Sequence, residues 1–163
     1  MKVFIRNKFL SLGGSSEVLN EQKAPIFKVK GKIFSPTRKK KIYDMEGNLL
    51  YVVRNKYWNF LYNRTFIYDA DKNRVATIKK NKWGITGNYA IEDTVDGMSI
   101  EGKFWGLTSK IMRNGQVVGV ITRNITLIND AFTLEADEKD MPFLTSIVIA
   151  FDNIKDKRRE DAQ

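Results

Sequence analysis

One segment near the C-terminus limits the folds open to this 163-residue chain because its apolar side chains point in every direction. Pro142 suits a first helical turn, Asp137 or Asp140 can cap it, and residues 143–151 place apolar side chains all round a helix. Such a helix must be buried on every side. Over residues 141–157 it would be about 24 Å long, close to the ~23 Å of a seven-residue strand. The β-branched residues in this segment leave a strand as the alternative.

Much of the remaining sequence alternates apolar and polar residues, as strands do. The clearest case is 27–34, where Phe27, Val29 and Ile33 fall on one face and three lysines on the other. Less regular alternation predicts strands at 41–44, 49–54, 65–69, 75–80, 99–104, 109–113 and 117–123. Clusters of Gly, Asn and Asp separate these strands roughly every 8 to 12 residues, which is typical of a meandering antiparallel sheet or barrel.

An internal repeat indicates that the building unit is a hairpin. Residues 42–53 match residues 67–78 at an offset of 25 positions, with Ile-Tyr-Asp followed by a turn and a second strand, and 110–121 is a weaker third copy. The turns suggest about a dozen strands, and barrels of eleven strands are wide enough to hold a helix. We therefore predict one mainly β domain over 1–163, a closed antiparallel barrel of about twelve strands around a hydrophobic C-terminal helix at about 141–157. Residues 155–163 are predicted to form a charged tail.

The composition excludes several kinds of site. The chain has no His and no Cys, so Ser-His and Cys-His nucleophile pairs, thiol redox motifs and the usual zinc sites are ruled out. We expect a protein that is not an enzyme and that needs no metal and no cofactor. The N-terminus lacks the apolar stretch of a signal peptide, and the longest run without a charge, 141–151, is too short to span a bilayer. These features predict a cytoplasmic protein without a transmembrane segment.

The order of segments along the chain resembles a known family. The segments that carry the resemblance are 6–13, 27–35, 42–44 with 47–48, 76–80 and 147–154. Together they resemble the LURP-one-related family, in particular its small bacterial members, over nearly the whole chain. The resemblance implies a fold similar to the tubby C-terminal domain and to phospholipid scramblases, a twelve-stranded barrel around a hydrophobic C-terminal helix. Tubby domains bind phosphoinositides through basic residues, and scramblases act on membranes.

Positive charge is concentrated in the first half of the chain. Residues 1–82 contain 19 Lys and Arg against 6 Asp and Glu, a net charge of +13, while residues 83–163 carry −4. The candidate anion-binding residues are Lys28, Lys30, Lys32, Arg38, Lys39, Lys40, Lys41, Lys79, Lys80 and Lys82. On one interpretation they bind phosphoinositide or other anionic lipid headgroups, with the protein peripheral at the inner membrane surface. On the other they keep the barrel soluble and protect its edge strands.

Two further interpretations remain for the same chain. Trp58 and Trp83 could form an aromatic platform beside the lysines, which would make the protein a nucleic-acid binder. Alternatively, these aromatic residues, together with Tyr57, could fill the space between the barrel wall and the helix. A carboxylate-based hydrolase would need a pocket that brings together two of Glu92, Asp93, Asp96 and Glu101. Residues 69–73 imitate the start of a calcium loop but lack its glycine and its bidentate glutamate, so a hairpin turn is predicted there.

Overall fold

The computed structural model describes residues 1–6, 15–31, 35–57, 64–80, 89–94, 96–102, 108–124 and 131–160. Within these ranges the chain forms twelve strands, a short 3-10 helix at Glu138–Asp140 and an α-helix, α1, at Met141–Glu160. The strands are β1 Lys2–Arg6, β2 Ser15–Asn20, β3 Pro25–Gly31, β4 Lys40–Tyr43, β5 Leu49–Asn55, β6 Arg64–Asp69, β7 Arg74–Lys80, β8 Tyr89–Glu92, β9 Met98–Glu101, β10 Thr108–Arg113, β11 Gln116–Asn124 and β12 Ala131–Ala136.

The twelve strands form a closed antiparallel barrel. Each strand pairs with the next one along the chain, and β1 closes the ring by pairing with both β2 and β12. The predicted architecture is thus confirmed. Because neighbours in sequence are neighbours in the barrel, every stretch of consecutive strands occupies one continuous part of its wall.

The two best copies of the repeat are hairpins with the same turn. In the β4–β5 turn the Asp44 carboxylate accepts hydrogen bonds from the backbone N–H and the side-chain amide of Asn48, both at 2.8 Å. In the β6–β7 turn Asp69 accepts the same two bonds from Asn73, at 2.8 and 3.1 Å. The hydrogen bond from the Asn48 amide is the main reason why the pKa of Asp44 lies below its usual value. The Asp69 segment is therefore a hairpin turn, as predicted, with both carboxylate oxygens engaged by Asn73.

The third copy is also a hairpin, with a tighter turn. Arg113 of β10 pairs with Gln116 of β11, so only Asn114 and Gly115 lie between the strands. Both have positive φ, at 50° and 77°, as a type I′ turn requires. The sequence Asn-Gly is the one that this turn favours.

Helix α1 is buried all round, as its sequence predicts. Every residue from Leu144 to Ile154 is buried, which is about three turns of helix. The helix starts at Met141, but it continues to Glu160, so residues 155–160 belong to the helix and not to a separate tail. Asp137 begins the preceding 3-10 turn and makes no side-chain cap.

The contacts of α1 show that it lies inside the barrel. The ring of Phe143 lies 5.7 Å from that of Tyr51 on β5, and the ring of Phe151 lies 5.1 Å from that of Tyr89 on β8. Gly119 on β11 has no side chain, and Leu144 of α1 packs against the space that one would occupy. Since β5, β8 and β11 are spread around the ring, the helix is the core around which the wall closes.

Candidate anion-binding surface

The predicted alternation on β3 places two lysines on the outside of the barrel. Phe27 and Val29 are buried in the core, and Lys28 and Lys30 lie on the opposite face of the strand. Lys30 is exposed, whereas Lys28 is half-buried and faces Glu17 of β2 in register. Lys30 is therefore the more available of the two cations.

On the neighbouring strand β4, Lys41 also lies on the outer face. It pairs in register with Lys30, so two lysines stand directly opposite each other across the strand pair. Like charges in this arrangement repel and destabilise the sheet. Within the part of the chain that the structure describes, neither lysine has a carboxylate within salt-bridge distance.

Beside Lys41 the outer wall forms a groove of about 310 Å³, which we call the basic groove. Its cations are Lys39, Lys41, Arg54 and Lys72. Its apolar lining is formed by Leu49, Val52, Tyr68 and Ala70, and Asp69 also borders it. Four positive charges against one carboxylate, over an apolar floor, suit a ligand that carries negative charge.

Aromatic rings on the same outer wall hold two cations. The guanidinium of Arg54 lies 4.7 Å from the centre of the Tyr68 ring and also donates a hydrogen bond to the Tyr68 hydroxyl at 2.9 Å. The Lys30 Nζ lies 5.2 Å from the centre of the Tyr43 ring on β4. Such contacts fix the direction of a cation without neutralising its charge.

Three cations in other parts of the barrel have acidic partners. Lys79 on β7 bonds to Glu92 on β8 at 3.3 Å, Arg74 pairs with Asp93 at 3.2 Å, and Arg113 reaches Asp140 at 2.9 Å. The cations that line the basic groove have no such carboxylate partner among the described residues. Lys79 lies three strands away from β4, at about 30° of circumference per strand in a ring of twelve, and does not line the basic groove.

The assignment of Lys40 to the basic surface is wrong. Its side chain points into the barrel, is 9 % exposed, and places its Nζ 3.5 Å from an oxygen of Asp152 on α1, itself 3 % exposed. Lys40 is buried because it precedes the inward-facing Ile42 by two residues on β4. The sequence contained this signal, but a run of four cations at 38–41 hides the alternation.

The remaining predicted residues have different outcomes. Arg38 is half-buried in the loop before β4, and its backbone carbonyl accepts a hydrogen bond from the side-chain amide of Asn153 on α1. Lys80 ends β7, and its side chain is not described. Lys32, Lys82, Trp58 and Trp83 lie outside the described residues. Tyr57 is 64 % exposed, so it does not fill the core.

Three groove residues, Arg54, Tyr68 and Lys72, were missed at the sequence level. Each had a signal, because Arg54 follows the outward Val52 by two positions on β5, and Tyr68 and Lys72 lie in the repeat at 67–78. What the sequence could not show is that β4, β5 and the β6–β7 turn lie side by side.

Three of the four carboxylates considered for hydrolysis are paired with cations. Glu92, Asp93 and Asp96 pair with three different cations, Lys79, Arg74 and Arg113. Among the described residues no group of three acidic side chains is placed to hold a metal ion. No helix in the described part of the chain is both long and apolar enough to cross a membrane.

Comparison with known proteins identifies the family. A crystal structure of a protein from Arabidopsis thaliana has the same fold, with a TM-score of 0.64 and 14 % identity, covering 94 % of this chain and 91 % of that one. None of the curated proteins compared with the chain matches it. The LURP-one-related family matches residues 1–152, which include all twelve strands and most of the buried part of α1. The chain belongs to the LURP-one-related family.

Proposed function

We propose that this protein is a non-enzymatic barrel that binds anionic lipid headgroups through the basic groove, as a peripheral protein on the cytoplasmic side of a membrane. One observation carries the proposal. Lys39, Lys41, Arg54 and Lys72 surround an apolar floor, and none of them has a carboxylate partner within salt-bridge distance among the described residues. An anionic headgroup would supply the missing negative charge.

The energetics favour a ligand at this place. Lys30 and Lys41 repel each other across β3 and β4, and a bound phosphate would convert this repulsion into two attractions. Near an anionic membrane each surface Lys or Arg contributes on the order of 1 kcal/mol. The likeness to tubby domains that the sequence resemblance implies also supports this choice of ligand, because tubby domains bind phosphoinositides through basic residues.

The test is co-sedimentation with vesicles of phosphatidylcholine, alone and mixed with phosphatidylglycerol or a phosphoinositide. The variant Lys41→Gln with Arg54→Gln removes two groove charges and should weaken binding to the anionic vesicles roughly 30-fold, at about 1 kcal/mol per charge. The matched control is Lys110→Gln with Lys139→Gln, two exposed lysines on β10 and the 3-10 turn, which should retain wild-type binding.

Three results would overturn the proposal. The first is indifference of the wild-type protein to anionic vesicles at low salt, and the second is equal loss in both double variants, which would indicate net charge alone. The third is tighter binding to single-stranded or duplex DNA, with a steep salt dependence, in a mobility-shift assay. That result would favour the nucleic-acid alternative, for which Trp58 and Trp83 were the predicted platform.

A further inference from the structure

Three consecutive lysines point in different directions where β4 begins. Lys39 and Lys41 line the basic groove on the outside, and Lys40 between them enters the barrel and meets Asp152 of α1. A buried ion pair is costly, because both charges lose their hydration. Two apolar side chains of similar size would fill the same space without that cost, so the pair needs a reason beyond packing.

The next residue of α1 holds the same segment from within. The side-chain amide of Asn153 donates a hydrogen bond to the backbone carbonyl of Arg38 at 3.1 Å, and Asn153 is fully buried. Arg38 has φ of 47°, in the left-handed region that a side chain makes unfavourable. The contact from the helix therefore stabilises a backbone conformation that is unfavourable for a residue with a side chain.

The wall completes the attachment of this segment. The backbone N–H of Asn55, at the end of β5, donates to the carbonyl of Thr37 at 2.7 Å. The Asn55 side chain in turn accepts a buried hydrogen bond from Thr65 of β6 at 2.7 Å. Residues 37–40 are thus held from the helix on one side and from β5 on the other.

We infer that Asp152 and Asn153 are positioning residues for the basic groove, acting through Lys40 and Arg38 to fix where Lys39 and Lys41 present their charges. The inference rests on the proposed function of the groove. It assigns a role to the central helix beyond filling the barrel: its last buried turn sets the geometry of the outer binding surface.

The experiment compares two variants with a control of the same kind. Asn153→Leu removes the bond to Arg38 and keeps the number and branching of the side-chain heavy atoms. The double change Lys40→Met with Asp152→Leu replaces the ion pair by apolar contacts and avoids leaving one buried charge alone. The control is Ser146→Ala, which removes a buried hydroxyl that bonds to the Phe143 carbonyl within α1, far from residues 37–40 in sequence.

Two measurements separate the possible outcomes. In vesicles of phosphatidylcholine with phosphatidylglycerol, both test variants should bind about three- to tenfold more weakly than wild type, the effect of losing one positioning contact, while Ser146→Ala binds as wild type does. In the absence of vesicles, amide hydrogen exchange in residues 37–41 should be about tenfold faster in both test variants, with the β6–β7 hairpin unchanged.

Wild-type affinity in both folded test variants, when Lys41→Gln with Arg54→Gln has lost binding, would overturn the positioning role. If wild type itself ignores the vesicles, the proposed function fails and the exchange data alone decide. Unchanged exchange in residues 37–41 would then refute the role of Asp152 and Asn153. If one test variant does not melt cooperatively, the other variant decides the test, because the two variants remove different contacts.

Discussion

At the scale of single residues, the two equivalent hairpin turns differ at one informative position. The β4–β5 turn has Gly47 at φ 94°, and the β6–β7 turn has Lys72 at φ 69° in the same place. A side chain in this left-handed region costs about 1 kcal/mol or more. The β6–β7 turn is destabilised by this conformation at Lys72, and the Lys72 side chain places a cation at the edge of the basic groove.

The change Gly47→Ala should lower the free energy of unfolding by about 1 kcal/mol. Nothing lies within 4 Å of the added Cβ, so the whole effect would come from the backbone conformation. Urea denaturation monitored by circular dichroism measures it. Met45→Ala, an exposed change in the same turn, is the control and should stay within about 0.5 kcal/mol of wild type. Equal stability of Gly47→Ala and wild type would contradict the assigned turn geometry.

At the scale of elements, the sequence predicted those parts whose apolar residues mark a face. Strand β3 was predicted because Phe27 and Val29 mark one face. Helix α1 was predicted because helix-start residues precede the apolar run at 143–151, although that run alone also allowed a strand. Strand β12 was not delimited, because Phe132, Thr133 and Leu134 are all buried and no alternation remains. Strands β1, β2 and β8 were not predicted, because adjacent apolar residues, such as Val3, Phe4 and Ile5 in β1, obscure the alternation.

The buried helix makes a strong prediction about charge. Ile147→Asp places a carboxylate among fully buried side chains, without a designed partner, at a cost of several kcal/mol. We expect this variant not to fold, whereas Ile147→Val, which keeps the site apolar, should lose only about 1 kcal/mol and fold. Thermal unfolding by circular dichroism distinguishes them. A soluble Ile147→Asp protein that melts cooperatively would refute the central position of α1.

A close approach of helix and wall depends on a glycine. A Cβ at Gly119 on β11 would lie 3.0 Å from Leu144 and 3.5 Å from Ile111 and Leu134. Gly119→Val should therefore destabilise the barrel by about 1–3 kcal/mol through overpacking. In a Leu144→Ala background the same change should cost clearly less, because the space that the valine needs has been vacated. Denaturation of the four proteins of this double-mutant cycle measures the coupling, and strictly additive effects would contradict the contact.

At the scale of the whole molecule, strands that are consecutive in sequence are neighbours in the barrel, so charge concentrated in one half of the sequence is also concentrated on one side of the barrel. Residues 1–82 form β1 to β7, which are seven consecutive strands of the ring, and they carry the net charge of +13. The charge was therefore predictable as one side of a barrel. The basic groove was not, because it depends on which cations find partners. Lys79 is paired with Glu92, whereas Lys41 has no such partner among the described residues, and nothing in the sequence near either lysine distinguishes them.

Unpaired cations on the outer wall should lower the stability of the fold and favour the binding of an anion. One substitution tests both effects. Lys41→Glu places a carboxylate opposite Lys30 and turns a repulsive cross-strand pair into an attractive one. At low salt we expect the free energy of unfolding to rise by about 0.5–1 kcal/mol, and binding to phosphatidylglycerol vesicles to be lost. High salt should reduce the gain in stability, because it screens exposed charges.

The control for this substitution has the same effect on net charge and the opposite local effect. Lys110 faces Glu101 across β9 and β10, so Lys110→Glu creates a like-charge pair and should lower stability at low salt while vesicle binding persists. Urea denaturation at two salt concentrations gives the stability of each variant, and vesicle co-sedimentation gives its binding. If both variants became more stable, relief of the net positive charge would explain the gain. If Lys41→Glu lost stability, the repulsion between Lys30 and Lys41 would not be a cost that the protein bears for its ligand.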